Sequence, residues 1–224
     1  MSPAKKAGAA RTAEFGQIRD TSIAALERMH RARELGLQGA RKTIQLSSQA
    51  IRAAHRGEFD AARGLCRQAG DALVGAGSDT AQEPLMRFSG FMHDGEKEYA
   101  EACLTLAFVS GGKLPTPDGL GISCPAYLNG LAEAASELRR SALDAIRKGD
   151  PARADGLLQL MDEAMGVVET IDFPEAVTAG LRRTTDALRG VVERTRGDVT
   201  SALRQQALEE RLGGSRRGWP KSDT

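Results

Sequence analysis

Carboxylates at helical spacing are the residues of this sequence best suited to metal chemistry. Glu98 and Glu101 lie three residues apart in the stretch EKEYAEA, residues 96–102, which directly precedes an apolar run. Glu133 and Glu137 lie four residues apart, so each pair occupies one face of a helix. Two helices that each present such a pair can hold a hard divalent cation, because Mg²⁺ prefers oxygen ligands. The alternative explanation is that both pairs belong to solvated helix faces.

The pattern around the first pair favours chemistry over a solvated face. One narrow polar stripe on the helical wheel consists of Asp94, Glu98, Glu101 and Thr105. Mostly apolar residues between positions 99 and 108 fill the rest of the wheel, and Glu96 falls outside the stripe. The solvated-face explanation suits positions 133 and 137 better, because their helix has a broad polar side that opposes its apolar one.

Other catalytic arrangements find little support in the sequence. Glu27 and His30 have the E-x-x-H spacing of di-iron bundles, but such bundles need two of these motifs and further inward carboxylates. His55 and His93 lack a nearby serine or cysteine in a recognisable catalytic arrangement, so we expect no nucleophilic catalysis. Neither the phosphate-binding motif GxxxxGK[ST] nor the dinucleotide motif GxGxxG occurs.

Composition indicates an all-α protein. The chain has 224 residues, 41% of them hydrophobic but only 4% aromatic, and it lacks alternating β-branched runs. Its formal net charge of +1 gives no global attraction to nucleic acid or an anionic membrane, so such binding needs a local patch. The three cysteines lack C-x-x-C spacing, and no apolar stretch is long enough for a membrane span. We therefore expect a soluble, cytoplasmic protein that does not bind membranes.

The elements that must position the carboxylates are six predicted helices. They cover approximately residues 12–56, 58–74, 80–110, 126–148, 151–170 and 175–212. The first can loosen near Gly36 and Gly39, which would raise the count to seven, and Ser78 or Asp79 can cap the third. We predict one helical domain over residues 12–212, with a flexible segment 1–11 and a disordered tail 213–224. The long connection at 111–125 is rich in glycine and proline, and loops of this length are often functional.

Four segments, in a fixed order, carry a resemblance to a known family. The most specific is YLNGLAEAASELRR at residues 127–140, which resembles the Y-L-x-G-x-A-D-x-x-G-E-L segment of the translin superfamily, comprising translin and translin-associated factor X (Trax). Further similar segments are AIRAAHR at 50–56, IRKGD at 146–150 and LRRTTDALRGVVE at 181–193. The resemblance spans nearly the whole chain, with matching order and spacing.

The resemblance implies a translin-like bundle of six to seven helices, a hollow homo-oligomer for which eight subunits is one size, and binding of single-stranded RNA or DNA. In this family Trax is a magnesium-dependent endoribonuclease, whereas translin binds nucleic acid without the full acidic set. Glu98 and Glu101 match the Trax E-Y-x-E motif, and Glu137 matches its G-E-L motif. Glu133 replaces the family's aspartate, and Ser136 replaces a glycine. The four glutamates are thus the predicted catalytic residues and ligands of Mg²⁺, with Mn²⁺ as the alternative.

Three arginines are candidates for contacts with nucleic-acid phosphates. Arg41 matches an arginine of the family's first helix, and Arg139 and Arg140 follow the second acidic pair. Each can instead form an ion pair, which we favour for Arg140. Because aromatic residues are scarce, phosphate contacts should dominate over base stacking. Two other functions stay open: a non-catalytic binder of single-stranded nucleic acid, if Glu133 has disabled the site, and a purely structural scaffold.

Overall fold

The chain is a bundle of helices. The computed structural model describes residues 3–216, and side chains over 11–212. The helices in chain order are α1 (Pro3–His55), α2 (Phe59–Thr80), α3 (Pro84–Arg87), α4 (Gly90–Ser110), α5 (Pro117–Leu120), α6 (Cys124–Arg147), α7 (Pro151–Glu169), α8 (Glu175–Thr178) and α9 (Leu181–Arg216). Six of these are long, α3, α5 and α8 are single turns, and residues 3–216 contain no strand. The predicted all-α fold is confirmed.

The hydrophobic core centres on α4 and α6. Helix α4 packs between α1 and α6, and α6 also packs against α7 and α9. Leu104, Leu138, Met161 and Leu188 are fully buried in the larger core cluster, while a smaller one lies where α1, α2 and α4 meet. Burying each large side chain contributes roughly 1.5–3 kcal/mol. Many other core positions are alanines, which let the helix axes approach closely.

Helix α1 is continuous at the two glycines where loosening was predicted. A Cβ atom at Gly39 would lie 2.7 Å from Ala76 Cβ, and one at Gly36 would lie 2.5 Å from Thr80 Cγ2. Both glycines therefore allow close contact between α1 and α2 rather than a break. The prediction of a loosened first helix is wrong because small residues in a helix also serve packing.

The boundary between α2 and α4 also differs from the prediction. Helix α2 continues through the glycine-rich stretch GAGSDT to Thr80, whose buried hydroxyl donates a hydrogen bond of 2.8 Å to Ala76 O. Ser78 Oγ likewise donates to Val74 O one turn earlier, so it does not cap the next helix. The single turn α3, which has Pro84 at its start, precedes α4, whose first residue is Gly90.

The last predicted helix is divided into α8 and α9. Ala179 and Gly180 have φ angles of 51° and 85°, in the left-handed region, and this ends α8. Asn129 of α6, which is buried, holds the break because its Nδ2 donates to Thr178 O at 3.0 Å. Its Oδ1 accepts a hydrogen bond of 2.7 Å from Thr184 Oγ1. The backbone groups freed by the break are thus satisfied by α6.

The first and last helices extend into the segments predicted to be flexible and disordered. Helix α1 begins at Pro3, within the segment predicted to be flexible, and α9 continues to Arg216, within the predicted tail. Residues 1, 2 and 217–224 lie outside the described part of the chain.

The long loop before α6 is held against that helix by Tyr127, which donates a hydrogen bond of 2.8 Å to Pro115 O. Over the described residues, no helix has the length and apolarity needed to cross a membrane.

Candidate metal centre on α4 and α6

A glycine lets the backbones of α4 and α6 touch at the site. A Cβ atom at Gly130 of α6 would lie 2.7 Å from both Ala100 Cβ and Lys97 O of α4. Only glycine fits such an approach without a shift of backbone. Glu133 follows Gly130 by about one helical turn, so the close approach places it opposite Glu98 and Glu101.

The structure brings three of the four predicted ligands together. One carboxylate oxygen from each of Glu98, Glu101 and Glu133 lies within 4.8 Å of the other two. Among the described residues, this is the one such group of three or more histidine, cysteine or acidic side chains. Glutamate at position 133 therefore reaches the group despite its additional methylene. An all-carboxylate donor set fits Mg²⁺ or Mn²⁺, which prefer oxygen ligands.

The group concentrates negative charge in a partly buried position. Glu101 is 9% exposed, and its pKa is raised to about 8, mainly by burial and additionally by the charges of Glu98 and Glu133. Burial likewise raises the pKa of Glu98, although the neighbouring Lys97 opposes this. Carboxylates that resist ionisation in this way favour a cation among them, because the cation removes both the burial penalty and the mutual repulsion.

A lysine that was not predicted as part of the site contacts these carboxylates. Lys97 Nζ donates a hydrogen bond of 2.8 Å to Glu133 Oε1 and lies 3.5 Å from Glu98 Oε1. Burial alone would lower the pKa of Lys97, but Glu133, Glu98 and Glu101 together raise it. Lys97 is therefore a charged partner of the carboxylates. Its position beside Glu98 in EKEYAEA is the only feature of the sequence that points to it. Its shortest contact is with Glu133, which is 36 residues away.

Glu137, the fourth predicted ligand, is bound to a histidine outside the group of three. His55 Nε2 lies 2.8 Å from Glu137 Oε2, and His55 Nδ1 lies 3.2 Å from Ser141 Oγ. The hydrogen bond with His55 lowers the pKa of Glu137. Sequence reasoning found no serine partner for His55 because Ser141 is 86 residues away. Since the His55 side chain is only 2% exposed, the contact ties the end of α1 to α6 and orients Glu137.

Glu96, which the helical wheel separated from the pair, has a structural role. Its side chain is 6% exposed and accepts hydrogen bonds from Arg87 at 3.1 Å and from Ser123 Oγ at 2.6 Å. It also accepts one from the backbone of Ser123, which directly precedes α6. Glu96 therefore anchors the entry to α6 and leaves Glu98 and Glu101 as the chemistry-bearing acids of EKEYAEA.

The three predicted phosphate contacts fall into different environments. Arg139 binds α9, with Nη2 2.8 Å from Asp198 Oδ2 and Nη1 3.1 Å from Thr195 Oγ1. Arg139 thus forms an inter-helix ion pair, while Arg140 is exposed. An open cleft of about 500 Å³ along α6 is lined by Ser136, Glu137, Arg139, Arg140, Leu143 and Asp144. Arg41 is exposed on α1, at a separate cleft of about 330 Å³.

A cleft larger than the one along α6 lies away from the three carboxylates. It has a volume of about 990 Å³ and lies between α7, α8 and α9. Arg189 at its edge is bound to Glu169 and Asp186, so opposite charges there neutralise each other. We therefore place the candidate site at the smaller, acidic group, on the chemistry of its donors rather than on volume.

Comparison with known sequences gives a partial match. No family model matches the chain. The chain is 29% identical over 126 residues to the uncharacterized protein MJ0175 of Methanocaldococcus jannaschii, and the match covers 56% of this chain and 56% of that protein. The chain thus spans just over half the length of this curated relative.

Comparison with solved structures covers most of the chain. The chain is similar to the structure of AfC3PO in complex with duplex RNA, with a TM-score of 0.76 and 28% sequence identity. This match covers 84% of this chain and 97% of the AfC3PO chain. A crystal structure of AfC3PO gives the same TM-score and identity, with 84% and 98% covered. The crystal structure of apo-NeC3PO has a TM-score of 0.72 over 83% of this chain and 96% of that one. At 16% identity, the last shows the fold alone.

Proposed function

The chain belongs to the translin superfamily, and on that premise we propose that it binds nucleic acid and cleaves single-stranded RNA as a magnesium-dependent endoribonuclease. The observation that carries this proposal is the convergence of Glu98, Glu101 and Glu133 from two helices. AfC3PO, to which the chain is 28% identical, is described in complex with duplex RNA, which supports the nucleic-acid part of the proposal.

Three carboxylates would hold the ion, Mg²⁺ or alternatively Mn²⁺. They are Glu98, Glu101 and Glu133, whose oxygens already lie within 4.8 Å of one another. A bound ion of this kind supplies Lewis-acid stabilisation of charge on the phosphodiester and makes water more acidic. The carboxylates would fix the place of the ion between α4 and α6, and so the place where a phosphate would bind.

Glu137 has the properties of a general base in this proposal. Its Oε2 is held by His55 at 2.8 Å, which leaves Oε1 for the attacking water. Its pKa is lowered by the same hydrogen bond, so the carboxylate is ionised at neutral pH. An ionised, oriented carboxylate one helical turn from Glu133 could accept a proton from water as the water attacks phosphorus. The P–O bond to one ribose oxygen then breaks, and this oxygen leaves with a proton taken from solvent. His55 and Ser141 act by fixing the direction of Glu137.

The nucleic acid would follow the open cleft along α6. Arg140 is exposed at this cleft, and Arg139 lines it while paired to Asp198. Arg41, which is exposed on α1, would contact other phosphates of the nucleic acid. Because the chain offers few aromatic residues, binding of RNA or single-stranded DNA rests on phosphate contacts and should weaken steeply as salt is raised.

One observation favours the second candidate function, a non-catalytic binder. Lys97 already neutralises the carboxylates of Glu133 and Glu98 through contacts of 2.8 and 3.5 Å. A chain in which this contact persists would bind nucleic acid without holding a metal ion. The two functions differ in metal-dependent turnover by the wild-type protein.

The decisive experiment compares wild type with Glu101→Gln on end-labelled RNA. We expect wild type to cleave single-stranded RNA with Mg²⁺ and not with a chelator, and Glu101→Gln to lose about 100-fold or more in rate while still binding RNA. Glu163→Gln, an exposed change on α7, should cleave like wild type. Unchanged cleavage by Glu101→Gln would place the activity elsewhere. Binding without cleavage of single-stranded or duplex RNA by wild type would support the binder.

We also propose that the chain acts as a homo-oligomer, with the octamer that the family resemblance implies as one size. The supporting feature is the exposed apolar face at the start of the described part of α1, where Phe15, Ile18 and Leu26 are 65%, 62% and 63% exposed. Contiguous exposed apolar side chains mark surfaces that partners cover.

A further inference from the structure

Lys97 contacts two of the three proposed metal ligands. Its Nζ lies 2.8 Å from Glu133 Oε1 and 3.5 Å from Glu98 Oε1, and both carboxylates belong to the group of three. Its charge also acts on Glu101. The ammonium group is thus the cation that balances these acids in the structure.

A divalent ion and this ammonium group compete for the same carboxylates. Mg²⁺ lies about 2.0–2.1 Å from its oxygen ligands. An ion within reach of both Glu133 and Glu98 would sit beside the ammonium that bonds the same carboxylates. Two cations at that separation repel, and the hydrogen bond from the ammonium group takes up part of the carboxylates' capacity to bind the ion.

We propose that Lys97 is an internal counter-ion that a divalent cation displaces, so that Lys97 sets the cation affinity of the carboxylate group. This inference rests on the proposed function, because it takes Glu98, Glu101 and Glu133 as the ligands. In the metal-free protein Lys97 holds the acids together, and in the loaded protein its ammonium group moves to solvent.

The surroundings of Lys97 permit a movement of the side chain alone. Its side chain is 20% exposed, and lysine has a long flexible stem that can turn outward. Its backbone, by contrast, is fixed, since the carbonyl of Lys97 lies against Gly130 so closely that a Cβ there would come within 2.7 Å. The exchange therefore leaves the spacing of α4 and α6 unchanged and requires no rearrangement of the fold.

The binding test compares the Mn²⁺ affinity of purified variants by isothermal titration calorimetry. Lys97→Gln removes the competing charge, and we expect it to bind Mn²⁺ about tenfold more tightly than wild type. Lys97→Arg retains the charge and should bind no more tightly than wild type. The matched control is Lys148→Gln, an exposed change fifteen residues beyond Glu133 along the chain, which should leave the affinity unchanged.

A second measurement uses the wild-type protein and needs no variant to fold. Labelling of lysines with an amine-reactive acetylating reagent, read by mass spectrometry, should modify Lys97 several-fold faster with saturating Mn²⁺ than without it. Lys42 and Lys148, which are exposed, provide the internal reference, because their labelling should not respond to the ion.

The outcomes separate this inference from the proposed function. Tighter binding by Lys97→Gln together with metal-dependent labelling of Lys97 supports displacement. If wild type binds Mn²⁺ and Glu101→Gln does not, but Lys97→Gln matches wild type and labelling is constant, the counter-ion role is overturned and the metal site stands. If neither wild type nor Lys97→Gln binds Mn²⁺, the proposed metal site fails, and the counter-ion role fails with it.

Discussion

Glu101 is the most buried carboxylate of the group of three. It is 9% exposed, whereas the side chains of Glu98 and Glu133 are 27% and 31% exposed. Burial raises the pKa of Glu101 to about 8, so it is largely protonated at neutral pH in the metal-free chain. Ionising it therefore requires compensation, which Lys97 provides only in part and a bound divalent cation would increase.

This raised pKa predicts how the stability of the metal-free protein depends on pH. Between 4.5, the ordinary pKa of a glutamate side chain, and about 8, the folded chain retains a proton on Glu101 that the unfolded chain releases. The free energy of unfolding therefore falls as pH rises through that window. Glu101→Gln removes this loss. We expect the variant to match wild type near pH 4 and to exceed it above pH 8 by up to about 5 kcal/mol.

The measurement is urea unfolding in a chelator at several pH values. Glu163→Gln, which removes an exposed carboxylate from α7, should follow wild type throughout. A difference between Glu101→Gln and wild type that is the same at pH 4 and pH 9 would contradict the raised pKa, because an effect of packing alone does not titrate.

For individual residues, the sequence identifies the acidic side chains of the site but not the basic side chains that bind them. Helical spacing singles out Glu98 and Glu101 because both lie on one polar stripe, and the resemblance adds Glu133 and Glu137. The contact of Lys97 with Glu133 spans 36 residues, and that of His55 with Glu137 spans 82. No local periodicity encodes such pairs, since they exist only once α1, α4 and α6 pack.

Among the helices, the close approach of α4 and α6 at Gly130 determines whether the carboxylates meet. A Cβ there would lie 2.7 Å from Lys97 O and 3.0 Å from Glu101 N. Because these are backbone atoms, the helices themselves would have to separate. The same contact that packs the core therefore positions Glu133 against the acids of α4.

We predict that Gly130→Ala lowers both stability and metal affinity. Overpacking of this kind costs typically 1–3 kcal/mol in the free energy of unfolding, and separation of the helices should weaken Mn²⁺ binding. Urea unfolding and calorimetry measure the two effects. The matched control is Gly166→Ala on α7, where a Cβ meets nothing within 4 Å and alanine should add up to about 1 kcal/mol. Equal stability of the two variants would contradict the predicted clash.

Packing between helices also explains where the predicted boundaries were wrong. Periodicity indicates the long helices well, because each has an apolar face. It misjudged Gly36 and Gly39, which serve close contact with α2, and the break at Ala179, which Asn129 of α6 stabilises. Small residues occur both where a helix breaks and where two helices pack closely. Only the tertiary structure shows which of the two applies at a given position.

For the molecule as a whole, the notable feature is an apolar face that the chain itself does not cover. Helical periodicity places Phe15, Ile18 and Leu26 on the same face of α1 as Ala40 and Ala54. The two alanines are 1% and 2% exposed where the rest of the bundle covers them, whereas the three large residues are more than 60% exposed. With a net charge of only +1, little repulsion opposes association of copies through this face.

We therefore predict that the 23.8 kDa chain has a solution mass several times that of one copy, and that this mass depends on α1. Replacing Phe15, Ile18 and Leu26 with glutamate puts three like charges on the apolar face and should reduce the mass measured by light scattering. The control places three glutamates on the opposite, exposed side of the helix, at Ala13, Gln17 and Ala24, and should keep the wild-type mass. A monomeric wild type, or an equal loss of mass in both variants, would show that this face does not hold copies together.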